Sequence, residues 1–314
     1  MLKMRGSALL SALFIMTLVA IATTTMTVQL RQSIEQTRLV LTTDQDALTV
    51  EALRYWAMAA LVNPKTRAFG RDPSMLILTD AESPMPKIPG VKFSAQLFDL
   101  QALFNLNNLE NSKFKTPFYR LLQDILEDAS KKQALQLTSA ISNWVTDAKS
   151  EHNNNKYDGF YAKQKPPYVT AHQPMASLSE LRLIKGVDRE IFQALFPYVT
   201  VLPPPTKINI NTAPETLLLA MGQPEKEEDL PEQVQALIEA RGEKGIQHVN
   251  QVISILRKLK IKIDDVTVES EYFLSIGQIK TPTFERTLYS VLHRSKARNG
   301  NFSVHLVQET WNTN

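Results

Sequence analysis

The chain has 314 residues, 43% of them hydrophobic, which is enough for two or three packed domains and excludes a disordered tail or a short peptide. Its 35 Lys and Arg against 32 Asp and Glu leave a formal charge of +3, too balanced to mark a polyanion-binding protein by net charge. With no cysteine, disulfide frameworks, thiolate-held zinc, iron–sulfur clusters and thiol nucleophiles are excluded together.

The first thirty residues depart from that average. Lys3, Arg5 and Gly6 precede an apolar run from Ser7, and no charge follows until Arg31. An uncharged run of roughly 25 residues is long enough to cross a hydrocarbon core of about 30 Å. Basic residues ahead of it predict a cytoplasmic N-terminus, with everything after Leu30 on the far side of the inner membrane. A secretory signal peptide ending near Thr23, Thr24 and Thr25 is the competing reading. Against it, the sequence holds no Gly or Pro between Ser7 and Val62, and Ile34, Leu41, Leu48, Tyr55 and Val62 recur every seven residues. One helix of up to ~80 Å follows, apolar all round over 7–30, then amphipathic, and stopped at Asn63-Pro64. The turns near Ile34 are expected to pack on partner helices, and those after Leu48 to cover a globular domain. The β-branched cluster Thr23, Thr24, Thr25, Thr27 and Val28 reads either as a locally weak stretch or as hydroxyls bonding back to the preceding turn.

A basic leader ending in Gly6, a new start at Ser7, and an apolar helix continuing into an amphipathic one resemble the type IV pilin and pseudopilin precursors. The resemblance implies cleavage between Gly6 and Ser7 by a prepilin peptidase, methylation of the new N-terminus, and retention of the helix as a single-pass anchor. Most members carry Glu at the fifth mature position, where it is thought to pair with a neighbouring subunit; here that position is Ser11. Such a departure suits a subunit at the tip of a fibre.

Further along, residues 64–90 are proline-rich with one short apolar run, Met75 to Leu78, read as a loop carrying an edge strand. Val91 to Asp99 alternates as a half-buried strand, followed by an Asn-rich turn through Leu109. Helical periodicity appears at Pro117–Leu126 and Lys132–Val145. Ser177–Val187 with Glu190–Tyr198 reads helix, Gly turn, helix. Ile208–Gly222 with Val234–Arg241 reads as a second copy, with Thr212 capping, Pro214 in the first turn, Gly222 closing, and Pro203-Pro204-Pro205 between the copies. From Glu269 the period returns to two, giving strands at Tyr272–Ile279, Thr287–Arg294 and Phe302–Val307, a meander that could pair with the strand near Val91.

The expected fold is therefore α+β: a long N-terminal helix packed on a small antiparallel sheet, interrupted by a large all-α insertion of helix-hairpin-helix or SAM-like units. The boundaries are 1–6 leader, 7–30 membrane half, 31–109 first part of the sheet domain, 110–265 insertion (about 110–203 and 206–265), and 266–314 returning strands. This order of parts is similar to that of the K-type minor pseudopilins of bacterial type II secretion. The matching pieces are Asp99 with Phe104-Asn105-Leu106-Asn107 and Leu109, Trp144 with Asp147, Pro166-Pro167-Tyr168, Ser179-Glu180-Leu181-Arg182 with Gly186, and Ile208 through Ala213. The resemblance implies a non-enzymatic cap on a periplasmic fibre, built with minor pseudopilins of I and J type above the major pseudopilin, and assembly residues Ser11, Ile34, Leu41 and Leu48.

Two other classes stay in view: a membrane-anchored DNA receptor using the helical hairpins, and a minor pilin for motility or adhesion. Against the first, the second hairpin sets Glu225, Glu227, Glu228 and Asp229 against Lys226, which would repel a phosphodiester, so no nucleic acid is expected. The five histidines form no His-x-x-x-His pair, and Gly-x-Ser-x-Gly and phosphate-loop motifs are missing. One segment after Trp144 crowds oxygens: Asp147, Glu151, Asn153, Asn155 and Asp158. It reads as a calcium site held by Asp147, Glu151 and Asp158, or as an ordinary solvated loop, since its spacing fits no EF-hand. Trp144 reads as core, with its indole nitrogen bonded locally.

Overall fold

The computed structural model describes residues 7–62, 74–79, 92–126, 130–150, 156–242, 244–280, 285–297 and 300–313. The leader through Gly6, most of the 64–90 segment, and Glu151, Asn153 and Asn155 lie outside them. Two compact units make up the chain, residues 1–52 and 53–314.

Helix α1 runs unbroken over Ser7–Val62. In the first unit, Leu9–Leu41 is long and apolar enough to cross a membrane and is wholly unburied. The threonines do not interrupt it. Thr24, Thr25 and Thr27 each donate a hydroxyl to the carbonyl four residues back, on Ala20 (2.7 Å), Ile21 (2.5 Å) and Thr23 (2.8 Å), so the back-bonding reading holds.

In the second unit, β1 (Ser74–Thr79) and β2 (Lys92–Asp99) begin a five-stranded antiparallel sheet. β2 buries Phe93, Ala95 and Leu97 on one face because alternate side chains of a strand share a face. The last turns of α1 lie on that face through Leu53, Ala57 and Leu61, which are fully buried, with Trp56 beside them. This corrects the expectation for the later turns of the heptad stripe. Tyr55 and Val62 are 58% and 44% exposed, because at 100° per residue Tyr55 points about 200° away from Leu53. The i, i+4 row covers the sheet and leaves the seven-residue row outside.

After Asp99 the chain leaves the sheet at once, with 3-10 turns at Leu100–Ala102 and Leu106–Glu110, so the insertion begins earlier than residue 110. It continues through β3 (Phe104–Asn105), α2 (Lys115–Ile125), α3 (Lys131–Val145), α4 (Asp158–Tyr161), a 3-10 turn (Leu178–Leu183), α5 (Arg189–Leu195) and β4 (Val199–Thr200). A second series follows: β5 (Ile208–Asn209), α6 (Glu215–Met221), α7 (Leu230–Arg241), a 3-10 turn (Val249–Val252), α8 (Ile253–Lys258) and β6 (Val266–Thr267). One apolar core runs through both series. The sheet resumes with β7 (Tyr272–Lys280), β8 (Glu285–Lys296) and β9 (Phe302–Thr313), in the order β1-β2-β7-β8-β9. β7 pairs with β2 as the alternation predicts.

The insertion is repetitive, but in another register from the one read off its hairpins. β3 pairs in parallel with β4, and β5 with β6. Asn107 grips the backbone of Met175 on both sides, accepting from its N–H (2.7 Å) and donating to its carbonyl (3.0 Å). Asn211 grips Ile246 in the same way, at 2.8 and 2.9 Å. Behind each clamp a Glu180 or Gln251 side chain accepts from the two amides that open the next 3-10 turn. The repeating units are thus about 104–200 and 208–267, and the hairpin at 177–198 corresponds to the end of the second unit rather than its beginning.

Candidate assembly interface

Along α1 the expected assembly residues Ile34, Leu41 and Leu48 are 58%, 58% and 65% exposed, an unburied apolar row on the first unit. Ser11 sits exposed in the helix's opening turns, and Ser7 is its first residue. Large aliphatic side chains at heptad spacing on a continuous helix are what a partner helix would bury, each contributing about 1.5–3 kcal/mol when fully covered.

The second unit holds a polar centre that sequence reasoning passed over. Asp99, at the end of β2, is 1% exposed and accepts four hydrogen bonds: from the Gln101 amide (2.8 Å), Asn209 Nδ2 (2.9 Å), the Thr212 hydroxyl (2.5 Å) and the Ser270 hydroxyl (2.7 Å). Burial pushes its carboxyl above the usual carboxylate range, and the four donors oppose that rise. Thr212 therefore spends its hydroxyl on Asp99 and does not cap α6, whose N-cap is Pro214. Gln101 completes the neck by donating to the Lys207 carbonyl (2.8 Å) and accepting from the Tyr272 amide (3.2 Å). The exit from the sheet, the second helical unit and the return strand are fastened at one point. An acid at a strand's end followed by an Asn-rich turn was the available signal.

Arg241 closes α7 in the interior, 5% exposed, donating to the carbonyls of Ile210 (2.8 Å) and Ala213 (2.6 Å). Burial lowers its guanidinium to about 10, so it stays charged at neutral pH. Gly222 sits in a crowded place: a Cβ there would come within 2.5 Å of a Leu230 methyl and 3.1 Å of a Leu259 methyl. Trp144 is core, as expected, but its indole donates to Glu180, 36 residues away (3.3 Å), and its ring meets Tyr161 edge-on at 5.4 Å. This corrects the local bond expected for it.

Of the three residues read as calcium ligands, Asp147 accepts from the Lys149 amide (2.7 Å), and Asp158 accepts from the Thr170 hydroxyl (2.6 Å) with His172 Nε2 at 3.7 Å. Glu151 lies outside the described residues. Among the described residues no three His, Asp or Glu side chains converge on one point. Asp147 and Asp158 are thus each engaged by a protein donor, and a calcium ion would need further oxygens beside theirs.

A long N-terminal helix, apolar enough over Leu9–Leu41 to cross a membrane, whose end packs on an antiparallel sheet carrying a helical insertion, defines an α+β protein of the pseudopilin class. A family model described as type II secretion system (T2SS), protein K, matches residues 102–204, which is nearly the first helical unit. Type II secretion system protein K of Klebsiella pneumoniae is 38% identical over 128 residues, 38% of this chain and 39% of that protein. The Aeromonas hydrophila protein of the same name is 30% identical over 232 residues, 66% of each chain. That of Pectobacterium carotovorum is 29% identical over 223 residues, 66% of this chain and 68% of its own. A chain in the crystal structure of the GspK-GspI-GspJ complex from enterotoxigenic Escherichia coli shares the fold, with a TM-score of 0.66 at 22% identity over 89% of this chain and 99% of that one. The chain belongs to the type II secretion system protein K family.

Proposed function

We propose that this protein is the minor pseudopilin that caps the tip of a periplasmic pseudopilus and starts its assembly with minor pseudopilins of I and J type, for export of folded proteins across the outer membrane. The observation that carries this reading is the exposed row Ile34, Leu41 and Leu48 on an unbroken helix. Membership of the protein K family supports it, as does the likeness to a chain solved in a three-protein complex. The protein binds rather than transforms: it sits as a single-pass protein of the inner membrane, N-terminus cytoplasmic and bulk periplasmic, after a prepilin peptidase has cut between Gly6 and Ser7. Lys3 and Arg5 ahead of the apolar run support that orientation. Nucleic acid has no place in it, since Glu225, Glu227, Glu228 and Asp229 are all exposed on the second hairpin.

Co-expression with the I- and J-type pseudopilins of the same secretion system tests the proposal. The full chain should co-purify with both from detergent-solubilised membranes, and Leu41→Glu with Leu48→Glu should abolish recovery while leaving the melting temperature unchanged. Failure of the wild-type chain to associate, or normal secretion in a deletion strain, would overturn it.

A further inference from the structure

Strands β8 and β9 place His293 directly opposite His305, and directly paired residues of an antiparallel ladder project from one face. That face is turned away from α1. Leu292 and Arg294, flanking His293, are buried on the other side, whereas His293 is half-buried and His305 exposed. Among the described residues neither imidazole has a hydrogen-bond or ion-pair partner, so the lone pairs of both rings are uncommitted. On β7, Tyr272 is the ladder partner of His293, and its ring lies 4.7 Å from the imidazole, centroid to centroid, at 33°. Stacking of this kind sets the plane of the imidazole and leaves its nitrogens free at the edge.

We propose that His293 and His305 chelate a transition-metal dication of the zinc, copper or nickel class. Two neutral imidazole nitrogens suit these metals, whereas calcium and magnesium demand oxygen ligands. Both ligands stand on paired strands rather than on a loop, so little ordering is needed when the metal arrives. Because no third ligand converges among the described residues, solvent fills the other coordination positions and the site is open. The metal would tie β8 to β9, the last strand of the sheet, where Leu306, Val307 and Trp311 are 42%, 52% and 42% exposed. Arg54 of α1 also pairs with Glu309 of this strand. An unpaired edge gains order from such a clip. The site does not depend on the tip-protein reading.

Calorimetric titration of the detergent-solubilised full chain with zinc chloride tests the site, with calcium chloride run in parallel. One zinc per chain is expected at this site. His305→Ala should weaken that binding at least tenfold, His248→Ala should leave it unchanged, and calcium should give no heat that depends on His305. His305 is exposed, so its replacement leaves the sheet intact, which an unchanged melting temperature without metal verifies. Absence of zinc uptake at millimolar zinc, or wild-type affinity in His305→Ala, would overturn the proposal.

Discussion

Asn107 in the first helical unit and Asn211 in the second each hold one residue by both its backbone N–H and its carbonyl, at Met175 and Ile246. Around these matching clamps the two interiors differ. The first unit packs Phe104, Phe114, Phe118, Trp144 and Tyr161, with Phe104 and Phe118 centroids 5.1 Å apart. Tyr161 is so far withdrawn from solvent that its hydroxyl is pushed up to about 12. No aromatic residue occurs between Ile208 and Thr267, and the second unit instead buries Arg241 against two carbonyls. What the pair shares is a polar frame that sets the path of the chain. What fills the frame has been free to change, because an apolar interior tolerates substitution at constant volume better than a buried amide tolerates loss of its partner.

Asp99→Ala should cost the most, about 4 kcal/mol, since it leaves the donors of Asn209, Thr212 and Ser270 without their acceptor in a dry site. Denaturant unfolding followed by circular dichroism gives the value, and a loss below about 1 kcal/mol would show that the neck is not a fastening point. Asn107→Ala and Asn211→Ala should each cost about 3 kcal/mol, by similar amounts in spite of their different surroundings. Hydrogen exchange should then rise at the Met175 amide in the one variant and at Ile246 in the other. Unequal losses would break the equivalence of the two frames. Gly222→Ala should cost about 2 kcal/mol by overpacking against Leu230 and Leu259, and further shortening Leu230 to Ala should recover part of the loss. Arg54→Ala should cost only about 1 kcal/mol, since its pairing with Glu309 is partly screened by water, and should raise exchange in β9 first. Smallest of all, if the segment after Trp144 is a solvated loop, millimolar calcium should leave the melting temperature within about 2 °C, whereas a larger rise would favour the calcium reading.

Much of the sheet was legible because its burial is alternating. β2, β7, β8 and β9 all lie where a period of two placed them, although β9 runs on to Thr313, beyond the apolar Val307 where the pattern fades. The long helix was legible from the absence of Gly and Pro, but the face that covers the sheet was not. Leu53, Ala57 and Leu61 form a row with small Ala57 at its centre, less conspicuous than Ile34, Leu41, Leu48 and Tyr55. The Asn-rich segment after Asp99 reads as a turn because Asn favours turns, and nothing local says that Asn105 and Asn107, or Asn211 in the second unit, are buried. Their partners lie 35 to 97 residues away, so the polar frame and the register of its repeat emerge only in three dimensions. The role of Asp99 as a buried acceptor was hidden for the same reason: its donors come from positions as far off as Ser270.

The central claim is that the chain is a trimmed, membrane-retained rod carrying a body that joins neighbouring subunits. Intact mass of the protein extracted from inner membranes tests it most directly. The account predicts a species that has lost Met1 to Gly6, begins at Ser7 with one added methyl group, and keeps the whole of α1. A soluble periplasmic product beginning beyond Thr25, or an untrimmed chain, would contradict it.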